Sequence, residues 1–110
     1  MERLIKGDIV VLPFPFSDLS NFKKRPALVI SALKGADLIL CQITSQNIYD
    51  EYAITLNNED LASGNLKRKS NIRPNRIFTA DGKIILYKAG NLKENKLTEV
   101  INKLITIIKN

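Results

Sequence analysis

The sequence predicts a mainly β protein, a small curled antiparallel sheet or SH3-like barrel completed by one C-terminal helix. Three observations carry that prediction. Short β-branched or aliphatic runs, enough for five to seven strands, are separated by Gly, Pro, Asn and Asp turn signals. The apolar period switches from strand-like to helical only near the C-terminus. The chain has 110 residues, 45% of them hydrophobic, which suffices for one core and leaves no length for a second domain. Residues 1–110 are therefore expected to form a single unit.

The first strand is expected in Gly7-Asp8-Ile9-Val10-Val11-Leu12, ending at Pro13-Phe14-Pro15-Phe16, where two prolines oppose ladder pairing. Residues 13–24, with Ser17-Asp18-Leu19-Ser20-Asn21 at their centre, read as a long exposed connection. Pro26-Ala27-Leu28-Val29-Ile30-Ser31 and Ala36-Asp37-Leu38-Ile39-Leu40-Cys41-Gln42-Ile43-Thr44 should pair as a hairpin through Lys34-Gly35. Both runs are almost continuously apolar, which predicts burial on both faces. Tyr52–Leu56 reads as a shorter strand, and residues 57–64 as a turn-rich connector with room for one helical turn. Ser70–Arg73 and Ile84–Ala89 complete the strand candidates, with Asp81-Gly82 as a tight turn and Pro74 opposing a long strand through it. Leu97, Val100, Ile101, Leu104, Ile105 and Ile108 then recur at spacings of three and four, widened by Ile107, and predict an amphipathic helix over residues 94–109. Lys93 stands where a capping Ser, Thr or Asp would be expected, so the start of that helix is weakly marked.

The formal charge is +6, and its excess is concentrated in Lys23-Lys24-Arg25 and in Lys67-Arg68-Lys69 with Arg73 and Arg76. Such clustering favours a polyanionic partner. Cys41 is the only cysteine and is expected to be a buried strand residue; alone it can form neither an internal disulfide nor a zinc site. Histidine is absent, which removes the usual general acid-base group and the commonest metal ligand, so no metal or cofactor is expected. No apolar run approaches the roughly 18 residues of a membrane span, and the charged N-terminus lacks a secretory h-region, so no membrane partner and a cytoplasmic location are expected.

Three ordered segments carry a resemblance: Gly7-Asp8-Ile9-Val10-Val11-Leu12-Pro13-Phe14-Pro15-Phe16-Ser17-Asp18, Lys23-Lys24-Arg25-Pro26-Ala27-Leu28-Val29-Ile30-Ser31 and Gln42-Ile43-Thr44-Ser45. Together they resemble the MazF/PemK family of toxins. The match continues through Asp60-Leu61-Ala62, Gly64-Asn65-Leu66-Lys67, Ser70-Asn71-Ile72-Arg73 and Ile77-Phe78-Thr79-Ala80-Asp81 to the helix, and so spans nearly the whole chain. The resemblance implies an SH3-like barrel that forms a homodimer, cuts single-stranded RNA at short sequences without metal, and is neutralised by a cognate antitoxin. It also implies that Arg25 and Thr44 are the catalytic pair. Family members that use a histidine in the first loop have no counterpart here.

Metal-free cleavage is possible because the RNA's own 2′-hydroxyl can attack the adjacent phosphorus. The protein must align the attacking and leaving oxygens and stabilise charge on the transition state. A guanidinium suits that task, because its fork bridges two non-bridging oxygens and stays charged. Pro26 restricts the backbone of Arg25 to extended geometry and so helps to aim its side chain. A guanidinium is a poor base near neutrality, so the expected role of Arg25 is electrostatic, with proton donation to the leaving oxygen as an addition. Thr44, at a strand end on the barrel rim, is expected to hydrogen-bond a phosphate oxygen or orient the 2′-hydroxyl, with Ser45 as a weaker candidate for the same role.

For RNA binding, the candidates are Phe16 and Ser17 in the loop, Lys23 and Lys24 on phosphates, Gln46 on a base, and Asn71 and Arg73 beside the second basic run. Lys67, Arg68 and Lys69 are expected to contribute general attraction. Two rival readings need neither Arg25 nor Thr44: a barrel toxin that grips a protein target such as the topoisomerase DNA gyrase, and a non-catalytic nucleic-acid-binding barrel.

Overall fold

Among the described residues, seven strands make one antiparallel sheet in the order β4-β6-β3-β2-β1-β7-β5, followed by one helix. The strands are β1 (Asp8–Pro15), β2 (Phe22–Ala32), β3 (Asp37–Thr44), β4 (Ile54–Leu56), β5 (Leu61–Gly64), β6 (Ser70–Asp81) and β7 (Tyr87–Leu92), and the helix is α1 (Glu94–Lys109). The computed structural model describes residues 3–15, 22–46 and 50–110. A flat sheet with one helix on it would be about 20 Å thick. The nearly equal extents of 32 × 31 × 30 Å instead require the sheet to curl, and it does so into a half-barrel.

Strand alternation divides the apolar residues of β1, β2 and β3 between two clusters. Ile9, Leu28, Cys41 and Ile43 face inward and join Ile54, Leu56, Leu61, Ile72 and Leu92, with Val100 of α1 closing the cluster. Val10, Leu12, Ala27, Val29, Leu38 and Leu40 face outward, where Leu4, Phe78, Ala80 and Ile85 cover them. Burial on both faces was expected of these runs, and it has a consequence for the thiol. Burial pushes Cys41 up to about 12, so it packs as a small apolar side chain.

The β2–β3 hairpin forms as expected, turning at Gly35 with φ +82. Three other expectations are corrected. First, β1 does not end at Leu12: it runs to Pro15 and pairs Pro13 with Lys24 and Phe14 with Lys23, so the basic triplet belongs to β2 rather than to a long loop. The Val11 carbonyl accepts from Leu86 N–H at 2.8 Å and so points to the β7 side. By the period of two, the nitrogens of Pro13 and Pro15 point to that same side, beyond the last β7 pairing at Val11, where no N–H is needed. Second, Pro74 does not stop β6. Cys41 pairs with Ile77 while its neighbour Gln42 pairs with Arg73, so residues 74–76 form a bulge in which the proline ring is buried and no ladder donor is lost. Third, the connector at 57–64 holds both a 3-10 turn at Asn58–Asp60 and the short strand β5, whereas the last strand starts at Tyr87 instead of Ile84.

The helix matches its expected span, and Lys93 provides no side-chain cap. Only Val100 of α1 is fully buried; Leu97, Ile101 and Leu104 are partly covered, and Ile105 and Ile108 are exposed. Asp8 ties the start of the sheet to β7. Its buried carboxylate accepts from Ile5 N–H at 2.9 Å and lies 3.2 Å from Lys88 Nζ.

Gly64 and Gly35 both have positive φ, but they differ in surroundings. A Cβ on Gly64 would overlap the Ala89 carbonyl and Gly90 Cα, because β5 and β7 approach so closely there, whereas one on Gly35 would meet nothing within 4 Å. Gly35→Ala is therefore expected to cost only left-handed strain, about 1–2 kcal/mol, and Gly64→Ala clearly more. Urea midpoints of the two variants check this, and equal losses would show that β5 and β7 are not held at that separation.

Candidate functional site

The register of the sheet decides which candidate side chains can meet. On β1 and β2, Leu12 pairs with Arg25; on β3 and β6, Thr44 pairs with Asn71; on β4 and β6, Thr55 pairs with Asn71. Between β2 and β3 the last pairing at this end is Ala27 with Gln42, and Arg25 and Thr44 each lie two residues beyond it on their own strands. Residues opposite one another on antiparallel strands point to the same face, with Cα atoms about 4.5–5.5 Å apart. Thr44 and Asn71 are thus paired on the outer face, the face of Leu12, Ala27 and Leu40, and Arg25 lies on that same face of β2 beside Leu12.

On that face these side chains are largely enclosed. Thr44 ends β3 but is only 5% exposed, so its hydroxyl is buried rather than open on a rim. Its Oγ1 accepts from Gln46 N–H at 3.2 Å, a use that leaves the hydroxyl proton to donate. Asn71 Nδ2 donates to the Gln46 carbonyl at 3.4 Å, so Gln46 is bound from both Thr44 and Asn71. Arg25 is half-buried, and Lys23 and Lys24 beside it are exposed.

The intervening residues face the other way and form the mouth of the inner face. Lys24 of β2, Ser45 just past β3 and Ser70 at the start of β6 come together there. These three line a cleft of about 310 Å³ together with Lys23, Arg25, Gln46 and Arg68. Ser70 was not singled out in the sequence; it is buried, and its Oγ donates to the Arg68 carbonyl at 3.0 Å, which fixes the start of β6 beside the basic run. A larger cleft of about 650 Å³ shares Lys24, Ser45, Arg68 and Ser70 and extends toward β7. No acidic residue lines either cleft among the described residues.

Arg73 is placed differently from the other candidates. It pairs with Gln42, one row deeper, and its Nε and Nη2 donate to Asp50 Oδ2 at 3.3 and 3.2 Å. Asp50, also missed in the sequence, accepts through Oδ1 from Tyr52 N–H at 2.9 Å. Burial by itself would raise this carboxyl, but the Tyr52 N–H, the Arg73 guanidinium and the Asn75 side chain outweigh it and hold Asp50 below the usual carboxylate range. The pair lies 23 positions apart in sequence, so no local signal could have revealed it. Phe16 and Ser17 lie outside the described residues. No group of His, Cys, Asp and Glu suited to holding a metal occurs among the described residues.

Comparison with known proteins gives consistent relatives. A family model described as PemK-like, MazF-like toxin of type II toxin-antitoxin systems matches residues 5–108. Among solved structures, MazF in the MazE–MazF complex of Deinococcus radiodurans is 20% identical, covers 96% of this chain and 96% of its own, and superposes with a TM-score of 0.76. An endoribonuclease in complex with its cognate antitoxin, from a mycobacterial species, is 14% identical, with coverages of 97% and 96% and a TM-score of 0.74. A mycobacterial endoribonuclease on its own is 15% identical, with coverages of 99% and 94% and a TM-score of 0.73. No curated protein matches the sequence. No helix among the described residues is long and apolar enough to cross a membrane.

The lowered Asp50 sets a direction for stability against pH. A carboxylate held below its unfolded value contributes stability that is present above about pH 4 and lost as pH falls through the folded value. Asp50→Asn should therefore cost about 1 kcal/mol at pH 7, and the gap from the parent should close on acidification below pH 4. Urea unfolding of both proteins at pH 7 and pH 3 tests this; a gap that ignores pH would mean that the ion pair contributes nothing.

Proposed function

The chain belongs to the PemK-like, MazF-like toxins of type II toxin-antitoxin systems, since their family model matches residues 5–108, and from that premise we propose that it is a metal-independent endoribonuclease that cuts single-stranded RNA. The observation that carries this reading is the set Arg25, Thr44 and Asn71: a cation, a hydroxyl with a proton to donate and an amide, on one face of adjacent strands beside a cleft that, among the described residues, is lined by cations and neutral groups.

In this reading a phosphate of the bound RNA sits against Arg25, whose guanidinium bridges its non-bridging oxygens and gains strength as charge builds there. The Thr44 hydroxyl, held by Gln46 N–H, donates to a phosphate oxygen or orients the ribose 2′-hydroxyl. The 2′-hydroxyl gives its proton to water as its oxygen forms a bond to phosphorus, the bond from phosphorus to the 5′-oxygen breaks, and that oxygen takes up a proton from water, leaving a 2′,3′-cyclic phosphate and a 5′-hydroxyl. Lys23 and Lys24 hold neighbouring phosphates, Ser45 and Gln46 line the approach, and Asn71 positions Gln46. Phe16 and Ser17 belong to the same proposal as loop contacts to RNA. Arg73 has a part only if RNA draws it away from Asp50.

The functional unit is proposed to be a single domain that acts as a cytoplasmic homodimer, with exposed Ile105 and Ile108 of α1 as apolar surface available to a second copy. Its inhibitor is proposed to be a cognate antitoxin with an acidic segment that competes for the cation-lined clefts. Relatives of the same fold are a MazF with MazE and an endoribonuclease with its cognate antitoxin.

The test is cleavage of single-stranded RNA in EDTA with mapping of the ends. Parent protein should give 5′-hydroxyl ends, and a 2′-deoxy substitution at the mapped cleavage position should abolish cutting. Thr44→Ala and Arg25→Ala should each lower kcat by about 10²- to 10³-fold, and Arg25→Lys should recover little, because the fork is lost. Undiminished cutting by either alanine variant would remove that residue from the site, and an inactive parent would remove the enzyme reading.

A further inference from the structure

We propose that the larger cleft on the β7 side is a binding track for the RNA segment that flanks the cleavage position, with Tyr87 as the platform on which one base stacks. The proposal rests on the reading of the chain as an RNA-cutting enzyme and gives Tyr87, Lys67 and Arg68 roles in that enzyme.

The argument starts from an aromatic ring that the fold does not use. Tyr87 is 56% exposed and belongs to neither core cluster, although it forms the last pair of the β1–β7 ladder. It pairs with Val11, and Val11 pairs with Pro26, so ring, isopropyl group and pyrrolidine lie in one row across β7, β1 and β2. All three line the cleft of about 650 Å³, where Val11 and Pro26 form an apolar floor beside the ring. Around that floor stand Lys24, Lys67, Arg68 and Lys88, with Asn65, Ser45 and Ser70 as neutral polar neighbours. Lys88 is held by Asp8 at 3.2 Å, which leaves Lys24, Lys67 and Arg68 to set the sign of the cleft, since no carboxylate lines it among the described residues.

An exposed aromatic face flanked by cations is what single-stranded nucleic acid requires, because every base has a stacking face and every linkage a charge. A protein partner would instead favour a broader apolar patch depleted of lysine. Continuity with the reaction site fixes the partner further. Lys24, Ser45, Arg68 and Ser70 line both clefts, so a strand whose scissile phosphate lies at Arg25 passes directly into the second cleft.

The experiment is an abasic scan of a short, uncleavable RNA bearing a 2′-deoxy group at the mapped cleavage position, titrated against the parent, Tyr87→Ala and Tyr87→Phe. For the parent, removing the base at one flanking position should weaken binding roughly 5- to 100-fold. In Tyr87→Ala that same removal should cost nothing further, and Tyr87→Phe should restore the parental profile. Lys67→Ala and Arg68→Ala should each reduce the slope of log affinity against log salt by about 0.7. Because Tyr87 is exposed and outside the core, the alanine variant should keep the parental urea midpoint. A parent that cuts RNA while Tyr87→Ala keeps the parental abasic profile overturns the track and leaves the enzyme reading intact. Loss of antitoxin binding in Tyr87→Ala with that profile unchanged assigns the surface to a protein and equally overturns it. A parent that neither binds nor cuts RNA ends both.

Discussion

The register between β1, β2, β3 and β6 is the constraint on which the rest of this molecule depends. Because side chains alternate faces, one ladder does two jobs along the same strands. Even positions of β1 and β3 and odd positions of β2, with Phe78 and Ala80 of β6, build the outer cluster; toward the strand ends, and across the β6 bulge where the parity of that strand switches, the same face carries Arg25, Thr44 and Asn71. The opposite set builds the inner core and then the mouth residues Lys24, Ser45 and Ser70. A slip of one residue would exchange the two sets and place lysine and serine where leucine and isoleucine now pack. Ile9, Leu28, Cys41 and Ile43 are fully buried on one side and Val10, Ala27, Val29 and Leu40 on the other, so any slip would expose apolar area on both faces. Site geometry is thus specified by the core rather than by contacts among the site residues themselves.

Against that frame the distribution of charge acquires a pattern. Three acidic groups near the sheet have cationic partners: Asp8 with Lys88, Asp50 with Arg73 and Asp60 with Lys96. None of the described residues lining the two basic clefts is acidic. The consequence of the three pairs is to neutralise carboxylates away from the mouth, so that the +6 excess of the sequence is expressed where β2 and the start of β6 come together. The two basic clusters are more than 40 positions apart in the chain, and pairing of β3 with both strands is what makes them one surface.

Much of this was legible in the sequence, and the rest was hidden for physical reasons. The helix at 94–109 and the hairpin about Gly35 declared themselves because their signals are local. Strand β6 did not, because Pro74 is a breaker only where a ladder N–H is needed, and the bulge at 74–76 removes that need. The extension of β1 through Pro13 and Pro15 depended on which edge lacks a partner, and a single chain's composition does not state that. Short β5 carries no alternation at all; it exists because Gly64 and Gly90 allow β7 to come close. At the site, Arg25, Lys23, Lys24, Ser45 and Gln46 could be read from one basic strand and one strand end, and the structure brings them to one cleft. Asp50, Ser70 and Tyr87 escaped, since each gains its place only through pairing with distant strands.

The burial of Thr44 bears on how such a site can work. A hydroxyl at 5% exposure meets little water, so a hydrogen bond that it donates is worth more than it would be on an open rim, and a missing partner costs more. Accepting from Gln46 N–H occupies one side of the Thr44 oxygen and leaves its proton to donate to a ligand. Gln46 is in turn held from Asn71 on the neighbouring strand, so the surroundings of one hydroxyl are inherited from the ladder between β3 and β6. A protein with no histidine has no side chain whose charge switches readily near neutrality. What remains to it is placement: a permanent cation and a buried hydroxyl, both carried on strands that the core does not allow to move. In the proposed site such rigidity favours reaction, because groups already held in place need no reorganisation when charge develops between them.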